Sequence, residues 1–383
     1  MENYSNFNIT YPSVHPGTDV TQIEFHTGTP DLRQFFLPGK NNSQKRCFVT
    51  DATVATLPYM QTFVSQFDDG RCGSDLLIIL GSGEPYKTIE SVLSIVETAL
   101  ENGFSRNDLF VGIGGGVICD LTGFAASLYK RGAAVQFVPT TLLSMVDASI
   151  GGKTGCDFKS YKNMIGSFFP AQKICYFPEF ISTLSEAQFR SGLAEAFKTA
   201  LLYDAELYDM FRIKSSQILS REPETICTII QKCSKAKAEV VEKDFTEKNI
   251  RKHLNLGHTF GHALETLAGL GTVTHGDAVA WGIGRAVSLS AKLDFCKESY
   301  KDEVLHILSL YGWDINPVPK IASGGGISER LIQIMHKDKK NKSDKISIVL
   351  QRGLTDTFTQ EVEDGDILPI LRYFDRHSDK PLL

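Results

Sequence analysis

Three histidines in one stretch of the chain suggest metal chemistry. His258 and His262 are four residues apart, and His275 follows in the segment His275-Gly-Asp. Residues four apart share a helix face, so the two imidazoles could bind one divalent ion with a third from a following turn. By spacing alone, both His258 and His262 are predicted ligands. Each histidine taken singly could instead be a hydrogen-bonded, partly buried side chain.

Such a metal needs an acidic partner, and Glu195 is the candidate. It lies three residues before Lys198, so the two share a helix face. Two imidazoles and a carboxylate are typical of a catalytic zinc site that keeps one position open for water or substrate. Arg251 and Asn255 precede the first histidine and can bind anionic or hydroxylated groups. Together these residues predict chemistry on a polar, charged small molecule.

A glycine-rich turn predicts a phosphate site. The segment Gly112-Ile-Gly-Gly-Gly-Val117 ends an apolar strand and opens a helix, where backbone amides and the helix amino terminus favour a diphosphate. It departs from the Gly-x-Gly-x-x-Gly pattern at Val117, and a simple tight turn is the alternative. Asp51, at another strand end, could accept hydrogen bonds from ribose hydroxyls. Glu84 and Lys87 follow a third strand end and could do the same.

Basic residues in turns indicate further anion binding. Asp147 and Lys153 flank a double glycine, which brings backbone amides near whatever the lysine binds. Lys162-Asn163 follows, and Arg131 comes directly after a helix. Residues 337–342 contain four lysines. A solvated loop or a surface cation is the alternative for these positions.

Alternating strands and helices must position the residues of the first half. The predicted strands are Cys47–Thr50, Leu76–Leu80, Leu109–Ile113 and Val135–Val138. Helices are predicted at 89–100 and from the glycine turn to about Arg131. This order implies a parallel, Rossmann-like sheet that binds ligands at the carboxyl ends of its strands. Residues 1–45 are polar and are predicted to form an edge hairpin or a docked extension.

Helical spacing dominates after Pro178. The predicted helices are 185–203, 205–219, 223–243, 253–268, 276–294 and 300–311. Ile346–Leu350 is a predicted strand, and Ser323–Gly326 a loop. The sequence therefore predicts an α/β nucleotide-binding domain at 1–178 and a mainly α-helical domain for metal and substrate at 179–383.

Composition bounds the class of protein. The 383 residues are 42% hydrophobic and 22% charged, with a net charge of −5, as expected for a folded globular chain. No basic stripe interleaved with aromatic residues indicates nucleic-acid binding. The amino terminus lacks a secretory pattern, and the apolar runs are too short to span a bilayer. Eight scattered cysteines without a Cys-x-x-Cys pair predict reduced thiols and a cytoplasmic location.

The ordered motifs resemble those of the 3-dehydroquinate synthase family, among the sugar-phosphate cyclases. The resemblance covers about residues 45–350. The matching motifs are Gly114–Ala125, Val138–Leu143, Val146–Thr154, Lys162–Gly166, Gly192–Lys198, Lys237–Val241, Leu254–Ala263 and His275–Ala280.

The resemblance implies a role for each candidate residue. It makes Glu195, His258 and His275 the metal ligands, and His262 a catalytic or hydrogen-bonding group. The implied cofactors are a tightly held NAD and a divalent metal, zinc or cobalt. The implied NAD contacts are Asp51, Glu84, Lys87, Gly115, Gly116, Val117, Asp120, Thr140, Thr141, Leu143, Lys162, Phe180, Thr183 and Leu184. The implied substrate pocket consists of Asp147, Lys153, Asn163, Lys198, Lys237, Arg251, Asn255, His262 and a lysine of 337–342, taken as Lys339.

The resemblance also implies a reaction and an assembly. The substrate would be 3-deoxy-D-arabino-heptulosonate 7-phosphate, and the products 3-dehydroquinate and phosphate. The implied steps are transient oxidation at C5 by NAD, phosphate elimination, reduction, ring opening and aldol closure. A homodimer is expected, with Arg131 reaching the phosphate in its own or a neighbouring subunit's site.

Three alternatives remain at this point. They are a metal-dependent polyol dehydrogenase, a cyclase for carboxylate-free sugar phosphates, and a non-catalytic NAD-binding protein. Arg251 together with Lys237 favours a substrate that carries a carboxylate. The complete set of catalytic residue types argues against a binding module.

The chain also departs from the family pattern at four places. Phe158–Tyr161 replaces a usual His-Pro-x-Gly, and Thr53 replaces a common asparagine. Gln188 and Asp277 stand where glutamate is usual. These departures remove no catalytic group but affect loop shape and NAD affinity.

Overall fold

The computed structural model describes residues 4–11, 20–28, 30–35, 44–159, 161–269, 271–322, 325–337 and 345–372. The chain divides into two compact units. Unit 1 comprises Met1–Ser185 and Pro223–Thr246, and unit 2 comprises Glu186–Glu222 and Glu247–Leu383. Within the described ranges, no helix is long and apolar enough to cross a membrane.

Twelve strands occur in the described parts of the chain. They are β1 (Phe7–Thr10), β2 (Val20–Phe25), β3 (Arg46–Asp51), β4 (Arg71–Cys72), β5 (Asp75–Leu80), β6 (Leu109–Gly114), β7 (Ala134–Pro139), β8 (Lys153–Phe158), β9 (Tyr161–Phe168), β10 (Lys173–Tyr176), β11 (Ile346–Gly353) and β12 (Asp356–Val362). The first ten lie in unit 1, and the last two lie in unit 2.

The same ranges contain fourteen α-helices. They are α1 (Leu32–Phe35), α2 (Ala52–Ala55), α3 (Pro58–Val64), α4 (Ile89–Glu101), α5 (Gly116–Leu128), α6 (Glu186–Tyr203), α7 (Ala205–Ile213), α8 (Ser215–Leu219), α9 (Pro223–Lys243), α10 (His258–Ala268), α11 (His275–Lys292), α12 (Glu298–Leu310), α13 (Ile327–His336) and α14 (Asp364–Ile367). The 3₁₀ turns are Glu84–Tyr86, Tyr129–Arg131, Pro178–Thr183, Ile250–Asn255 and Leu368–Leu371, and Ser144–Ala148 is a π-helical turn.

Unit 1 is built on an eight-stranded sheet in the order β1-β2-β10-β7-β6-β3-β5-β4. The six strands from β2 to β5 run parallel, and only the edge strands β1 and β4 are antiparallel. All residues of β3 and β6 are buried, as expected for apolar strands covered on both faces. The predicted α/β fold with a parallel, Rossmann-like sheet is confirmed, although the structure adds a β8–β9 hairpin that the sequence did not indicate.

The order of these strands defines where ligands bind. From β3 the chain proceeds to β5 on one side, whereas β6 and β7 pair on the other side. This reversal creates a crevice outside the carboxyl ends of β3 and β6, where open parallel sheets bind ligands. Asp51 ends β3 and Gly114 ends β6, so both candidate nucleotide residues lie at this switch point.

The division of the chain into two units differs from the predicted boundary at residue 178. Helix α9 falls in unit 1, whereas the sequence placed it in the second domain. Its contacts give the reason: the Tyr4 hydroxyl donates to the Glu224 carbonyl, and the Thr10 amide donates to the Glu242 carboxylate. Helical spacing predicted the helix correctly but could not tell which core its apolar face covers.

Unit 2 is mainly helical, as predicted. Helix α11 packs against α6, α10 and α12, and glycines and alanines along it permit close approach. The predicted helix 205–219 is broken in two at Lys214, which has φ −101° and ψ 29°. Strands β11 and β12 form a separate antiparallel ribbon, of which the sequence indicated only the first strand.

Candidate metal centre and nucleotide site

The predicted metal ligands lie on three helices of unit 2. His258 is the first residue of α10, directly after Gly257, whose φ of 79° lies in the left-handed region. A Cβ at Gly257 would lie 2.7 Å from the Val279 carbonyl oxygen, so glycine is required there. His275 is the first residue of α11, which Thr274 caps, and Glu195 lies in the middle of α6.

Glu195, His258 and His275 converge. The Glu195 Oε1 atom lies 3.6 Å from Nε2 of His258 and 3.3 Å from Nε2 of His275. The ligand atoms of all three lie within 4.8 Å of one another. A tetrahedral site with bonds of about 2.0–2.1 Å separates its ligand atoms by about 3.3 Å. The donor set and its spacing therefore fit a divalent ion such as zinc.

Electrostatics keep the two imidazoles in different states. Burial lowers the pKa of His258 well below its usual value, and Lys198 and the neighbouring imidazoles act in the same direction. Burial also disfavours charge on His275, but its contacts with Glu195 and Glu265 outweigh burial and raise the pKa of His275 to about 9. His258 is thus ready to bind as a neutral ligand, whereas His275 must release a proton when an ion binds.

Glu265 is a site residue that the sequence reasoning missed. Its carboxylate lies 3.5 Å from Nδ1 of His275, on the side of the ring away from Glu195. A carboxylate behind a ligating imidazole fixes the ring and raises its basicity. Its position was detectable, because Glu265 follows His262 by three residues on the same helix face.

Lys198 and His262 complete the surroundings of this cluster. The buried Lys198 ammonium contacts the Glu195 carboxylate, one turn away on α6. His262 is exposed, and it groups with Glu265 and His275 instead of with Glu195. The prediction from spacing alone, that His262 ligates beside His258, therefore receives less support than the assignment that the family resemblance implied.

The 3₁₀ turn before α10 carries two further predicted residues. Arg251 is 1% exposed, so its guanidinium lies inside unit 2. The Asn255 amide donates to the Glu247 carboxylate at 2.7 Å and to the Lys252 carbonyl at 3.1 Å. Asn255 must give up one of these bonds if its nitrogen is to reach a ligand.

Helices α6 and α11 are locked together beside the metal ligands. A Cβ at Gly276 would lie 2.2 Å from the Ser191 carbonyl oxygen, and the Gly276 amide donates to the Ser191 hydroxyl at 3.0 Å. Arg190 on α6 makes a bidentate pair with Asp277 on α11, at 3.0 and 3.2 Å. The Arg190–Asp277 pair therefore joins α6 to α11 beside the metal ligands, at a position where the family resemblance implied glutamate.

The glycine turn in unit 1 forms a cradle of the predicted kind. Helix α5 starts at Gly116, and its N-cap Gly115 makes no side-chain capping bond. A Cβ at Gly114 would lie 2.6 Å from Ile118, and one at Gly115 would lie 3.1 Å from Thr141. A side chain at either position would collide with these neighbours, so the turn requires glycine there. The amino terminus of α5, at Gly116 and Val117, is the candidate position for a pyrophosphate.

Asp51 lies across the switch point from this cradle. Its Oδ1 atom accepts from the amides of Thr53 and Val54, at 2.9 and 3.0 Å, and from the Ser82 hydroxyl at 3.0 Å. Ser82 was not predicted, and it also contacts Thr53, the residue that replaces a common asparagine. Among the described residues none donates a hydrogen bond to Oδ2 of Asp51, so this oxygen is the candidate acceptor for a ribose hydroxyl.

The turn after β7 carries three predicted cofactor contacts. The Thr140 amide donates to the Gly114 carbonyl at 2.9 Å, whereas its buried Oγ1 has no hydrogen-bond partner within the described ranges. Thr141 and Ser144 exchange bonds that shape the turn, and Leu143 is half-buried. The Thr140 hydroxyl, directly after β7, could therefore form a hydrogen bond with a bound cofactor.

Lys87, Asp120 and Asn163 form a network that no local pattern predicted. The buried Lys87 ammonium lies 2.6 Å from the Asp120 carboxylate and 2.6 Å from the Asn163 amide oxygen. Burial alone would lower the pKa of Lys87, but the Asp120 carboxylate raises it. Lys162 pairs with Glu84 at 3.7 Å. These side chains thus contact one another, and a ligand would have to share or displace those bonds.

The 3₁₀ turn Pro178–Thr183, which follows β10, carries the last of the predicted cofactor contacts. Phe180 is fully buried and packs edge-on against Tyr59, so its ring is part of the core of unit 1. Thr183 donates to the Phe180 carbonyl at 2.7 Å, and Leu184 is buried.

The other predicted substrate-binding residues lie in unit 1 or outside the described ranges. Lys237 contacts Asp147, with its ammonium 2.6 Å from Oδ1. Lys153 is exposed at the start of β8, after two glycines with positive φ. Arg131 is exposed and has a φ of 67°. Lys339 lies outside the described residues.

Two family profiles together cover most of the chain. The profile described as 3-dehydroquinate synthase N-terminal matches residues 77–191, and the one described as 3-dehydroquinate synthase C-terminal matches residues 192–341. A structurally similar protein is 2-deoxy-scyllo-inosose synthase complexed with carbaglucose-6-phosphate, NAD⁺ and Co²⁺, with a TM-score of 0.81, 21% identity, and 96% and 99% of the two chains covered. Another is 2-epi-5-epi-valiolone synthase from Streptomyces hygroscopicus with NAD⁺ and Zn²⁺, with a TM-score of 0.78, 26% identity, and 91% and 95% covered.

Curated relatives agree with the profiles. The chain is 37% identical over 356 residues to 3-dehydroquinate synthase of Acidithiobacillus ferrooxidans, which covers 92% of this chain and 95% of the relative. It is 38% identical over 320 residues to 3-dehydroquinate synthase of Nitrosococcus oceani, with 84% and 87% covered. The chain therefore belongs to the 3-dehydroquinate synthase family.

Proposed function

We propose that this enzyme is a 3-dehydroquinate synthase, a carbon–oxygen lyase that acts on a phosphate ester. It converts 3-deoxy-D-arabino-heptulosonate 7-phosphate into 3-dehydroquinate and inorganic phosphate in the shikimate pathway. Family membership supports this assignment. The observation that carries it is the buried Glu195 carboxylate, which faces the imidazoles of His258 and His275.

Glu195, His258 and His275 would hold a divalent ion, zinc or cobalt. The ion would supply Lewis-acid stabilisation of negative charge on substrate oxygens. Lys198 and Glu265 would hold the Glu195 carboxylate and the His275 ring in place. The exposed His262, beside the cluster, is placed to accept or donate a proton at a substrate hydroxyl.

The cradle in unit 1 would hold NAD, which would accept and later return a hydride at C5 of the substrate. The backbone amides at Gly115 and Gly116 would bind the pyrophosphate, and Asp51 would accept from a ribose hydroxyl. Lys87, Asp120 and Thr140 would orient the remaining groups of the cofactor. No net oxidation results, so catalytic amounts of NAD suffice.

Separate cations would bind the charged ends of the substrate. Arg251 in unit 2 would bind the carboxylate, because a buried guanidinium gives planar, bidentate recognition. Asn255 and Lys198 would add hydrogen bonds in the same unit. In unit 1, Lys153, Lys237 and Asn163 would contribute polar contacts near Asp147.

Phosphate release tests this function directly. The purified enzyme would be incubated with the heptulosonate phosphate, a divalent metal and substoichiometric NAD. We expect many phosphates released per NAD, without accumulation of NADH. Stoichiometric NADH would instead indicate a polyol dehydrogenase, a reaction class represented among structural neighbours by a probable glycerol dehydrogenase with a TM-score of 0.64 and 12% identity.

Substrate choice separates this proposal from the other cyclases. The same assay would be run with a carboxylate-free sugar phosphate of equal chain length. Preference for the carboxylate-free compound would refute the assignment of Arg251. Chelation is expected to abolish turnover, and zinc or cobalt to restore it; full activity of the metal-free protein would contradict the proposed site.

We further propose a cytoplasmic homodimer. All eight cysteines are free thiols, five of them buried, which supports a reducing compartment. The exposed Arg131 would then be able to serve a neighbouring subunit. Light scattering on the purified enzyme tests the assembly, and a monomer at working concentration would contradict it.

A further inference from the structure

Three side chains of types that bind metals meet near the edge of the unit 1 sheet, and none of them is among the residues assigned above. In the parallel pairing of β2 with β10, Glu24 lies beside Cys175. His26 follows Glu24 by two residues, so it projects on the same side of the strand. Phe25 and Tyr176, the next pair in register, contact each other on the opposite face.

The atoms of this cluster are spaced like metal ligands. Oε2 of Glu24 lies 3.3 Å from Nε2 of His26 and 4.0 Å from Sγ of Cys175, and all three ligand atoms lie within 4.8 Å of one another. Bonds of about 2.0 Å to nitrogen and 2.3 Å to sulfur separate tetrahedral ligands by about 3.3 to 3.7 Å. Side-chain movements of about 1 Å would therefore bring the three around one ion.

The surroundings orient each side chain toward that position. Lys173 binds Oε1 of Glu24 at 2.7 Å and thereby leaves Oε2 directed at His26 and Cys175. The His26 ring stacks on Phe177 and packs edge-on against Phe35. Its buried Nε2 has no hydrogen-bond partner within the described ranges. The Glu24 carboxylate lies 3.3 Å from this nitrogen without forming a hydrogen bond, and a bound ion would satisfy both groups.

We propose that Glu24, His26 and Cys175 form a second divalent-metal site, suited to zinc or cobalt. The donor set contains a thiolate, which the Glu195 cluster lacks, so it favours a softer borderline ion. Binding breaks the S–H bond, and the proton leaves to solvent. Burial raises the pKa of Cys175 to about 12, and a bound divalent ion would lower it by stabilising the thiolate. An ion here ties β2 to β10 and stabilises the amino-terminal strands without entering the reaction.

Cobalt distinguishes the two sites by spectroscopy. The full-length protein would be stripped of metal, titrated with Co²⁺ alone, and analysed for bound metal per chain and for thiolate-to-cobalt charge transfer in the near ultraviolet. We expect two ions per chain, with the charge-transfer band developing alongside the second. Glu195→Gln should lose one ion and keep the band, so failure of this proposal is distinguishable from failure of the proposed function.

Three variants complete the test. Cys175→Ala and His26→Phe should each lose the band and one ion; the phenylalanine preserves the ring stacking, so folding is maintained. Cys47→Ala is the matched control, because Cys47 is also buried in the sheet with its pKa raised to about 12. It should keep both ions. Absence of the charge-transfer band in the parent protein, or an unchanged band in Cys175→Ala and His26→Phe, would overturn the proposal, whereas one ion per chain with the band would instead count against the Glu195 site.

Discussion

Replacing Gly276 with alanine tests whether the contact of α6 with α11 sets the metal geometry. The new Cβ would lie 2.2 Å from the Ser191 carbonyl oxygen, whereas ordinary contacts begin at 3.4 Å. The obstacle is backbone, so the helices must separate by about 1.2 Å unless the chain distorts elsewhere, at a cost of about 1–3 kcal/mol. Glu195 and His275 lie on the two helices with 3.3 Å between their ligand atoms.

A displacement of that size exceeds what a metal site tolerates. Functional groups must be held within about 0.5 Å of their productive positions. We therefore expect Gly276→Ala to weaken zinc binding by about 10- to 100-fold, the range seen when outer-shell support is lost. A misplacement of about 1 Å is also expected to lower kcat/KM by about 100-fold. Chelator competition measures the first quantity, and phosphate release the second.

Gly284→Ala on the same helix is the matched control. A Cβ at Gly284 would lie 3.3 Å from the tip of the Leu305 side chain, which can move. This variant should bind zinc like the parent and gain up to about 1 kcal/mol of helix stability. Thermal unfolding of both metal-free variants checks that they fold. Equal zinc affinity in Gly276→Ala and Gly284→Ala would refute the reasoning.

Three further predictions concern charge. The pKa of His275 is raised to about 9, so its contribution to the stability of the metal-free protein is complete below about pH 6.5 and is lost as the pH rises through about 9. Urea unfolding at a series of pH values should show this decline, and the decline should be smaller in Glu265→Gln. An equal decline of the unfolding free energy with pH in both proteins would contradict this prediction. Lys87→Met should destabilise unit 1 by about 1–3 kcal/mol, because the half-buried Asp120 carboxylate would lose its cation. Adding Asp120→Asn should recover part of this loss, and no recovery would argue against the pair. Arg251→Ala should weaken substrate binding at least about 30-fold, since removing a buried charge partner costs at least about 2 kcal/mol, with metal content unchanged; unaltered kinetics would disprove the carboxylate assignment.

Much of the sheet was predictable because burial on both faces leaves a continuous apolar run. Strands β3, β5, β6 and β7 all carry apolar runs. Strands β3 and β6 end at Asp51 and Gly114, and Gly81 and Thr140 directly follow β5 and β7, so a polar or glycine residue marks each strand end near the candidate nucleotide site. The β8–β9 hairpin escaped prediction for the opposite reason. Its facing glycines, Gly155 and Gly166, leave no room for a Cβ and give no apolar alternation.

Long-range contacts were the other limit. The convergence of Glu195 with His258 and His275 was implied by family resemblance, because spacing within one helix had favoured His262 instead. The bond between Lys87 and Asn163 joins residues 76 positions apart, and nothing local signals it. By contrast, Glu265 could have been inferred, since helical spacing places it on the face of the histidines.

The return of α9 to unit 1 has a consequence for synthesis on the ribosome. Residues 186–222 are synthesised before Pro223–Thr246, so the α/β unit cannot be completed until both segments have left the ribosome. A nascent chain halted at Ser185 would lack Lys237, the cation that contacts Asp147, and would expose the apolar surface that α9 covers. Translation must thus proceed well into the second half of the gene before the first half reaches its final form.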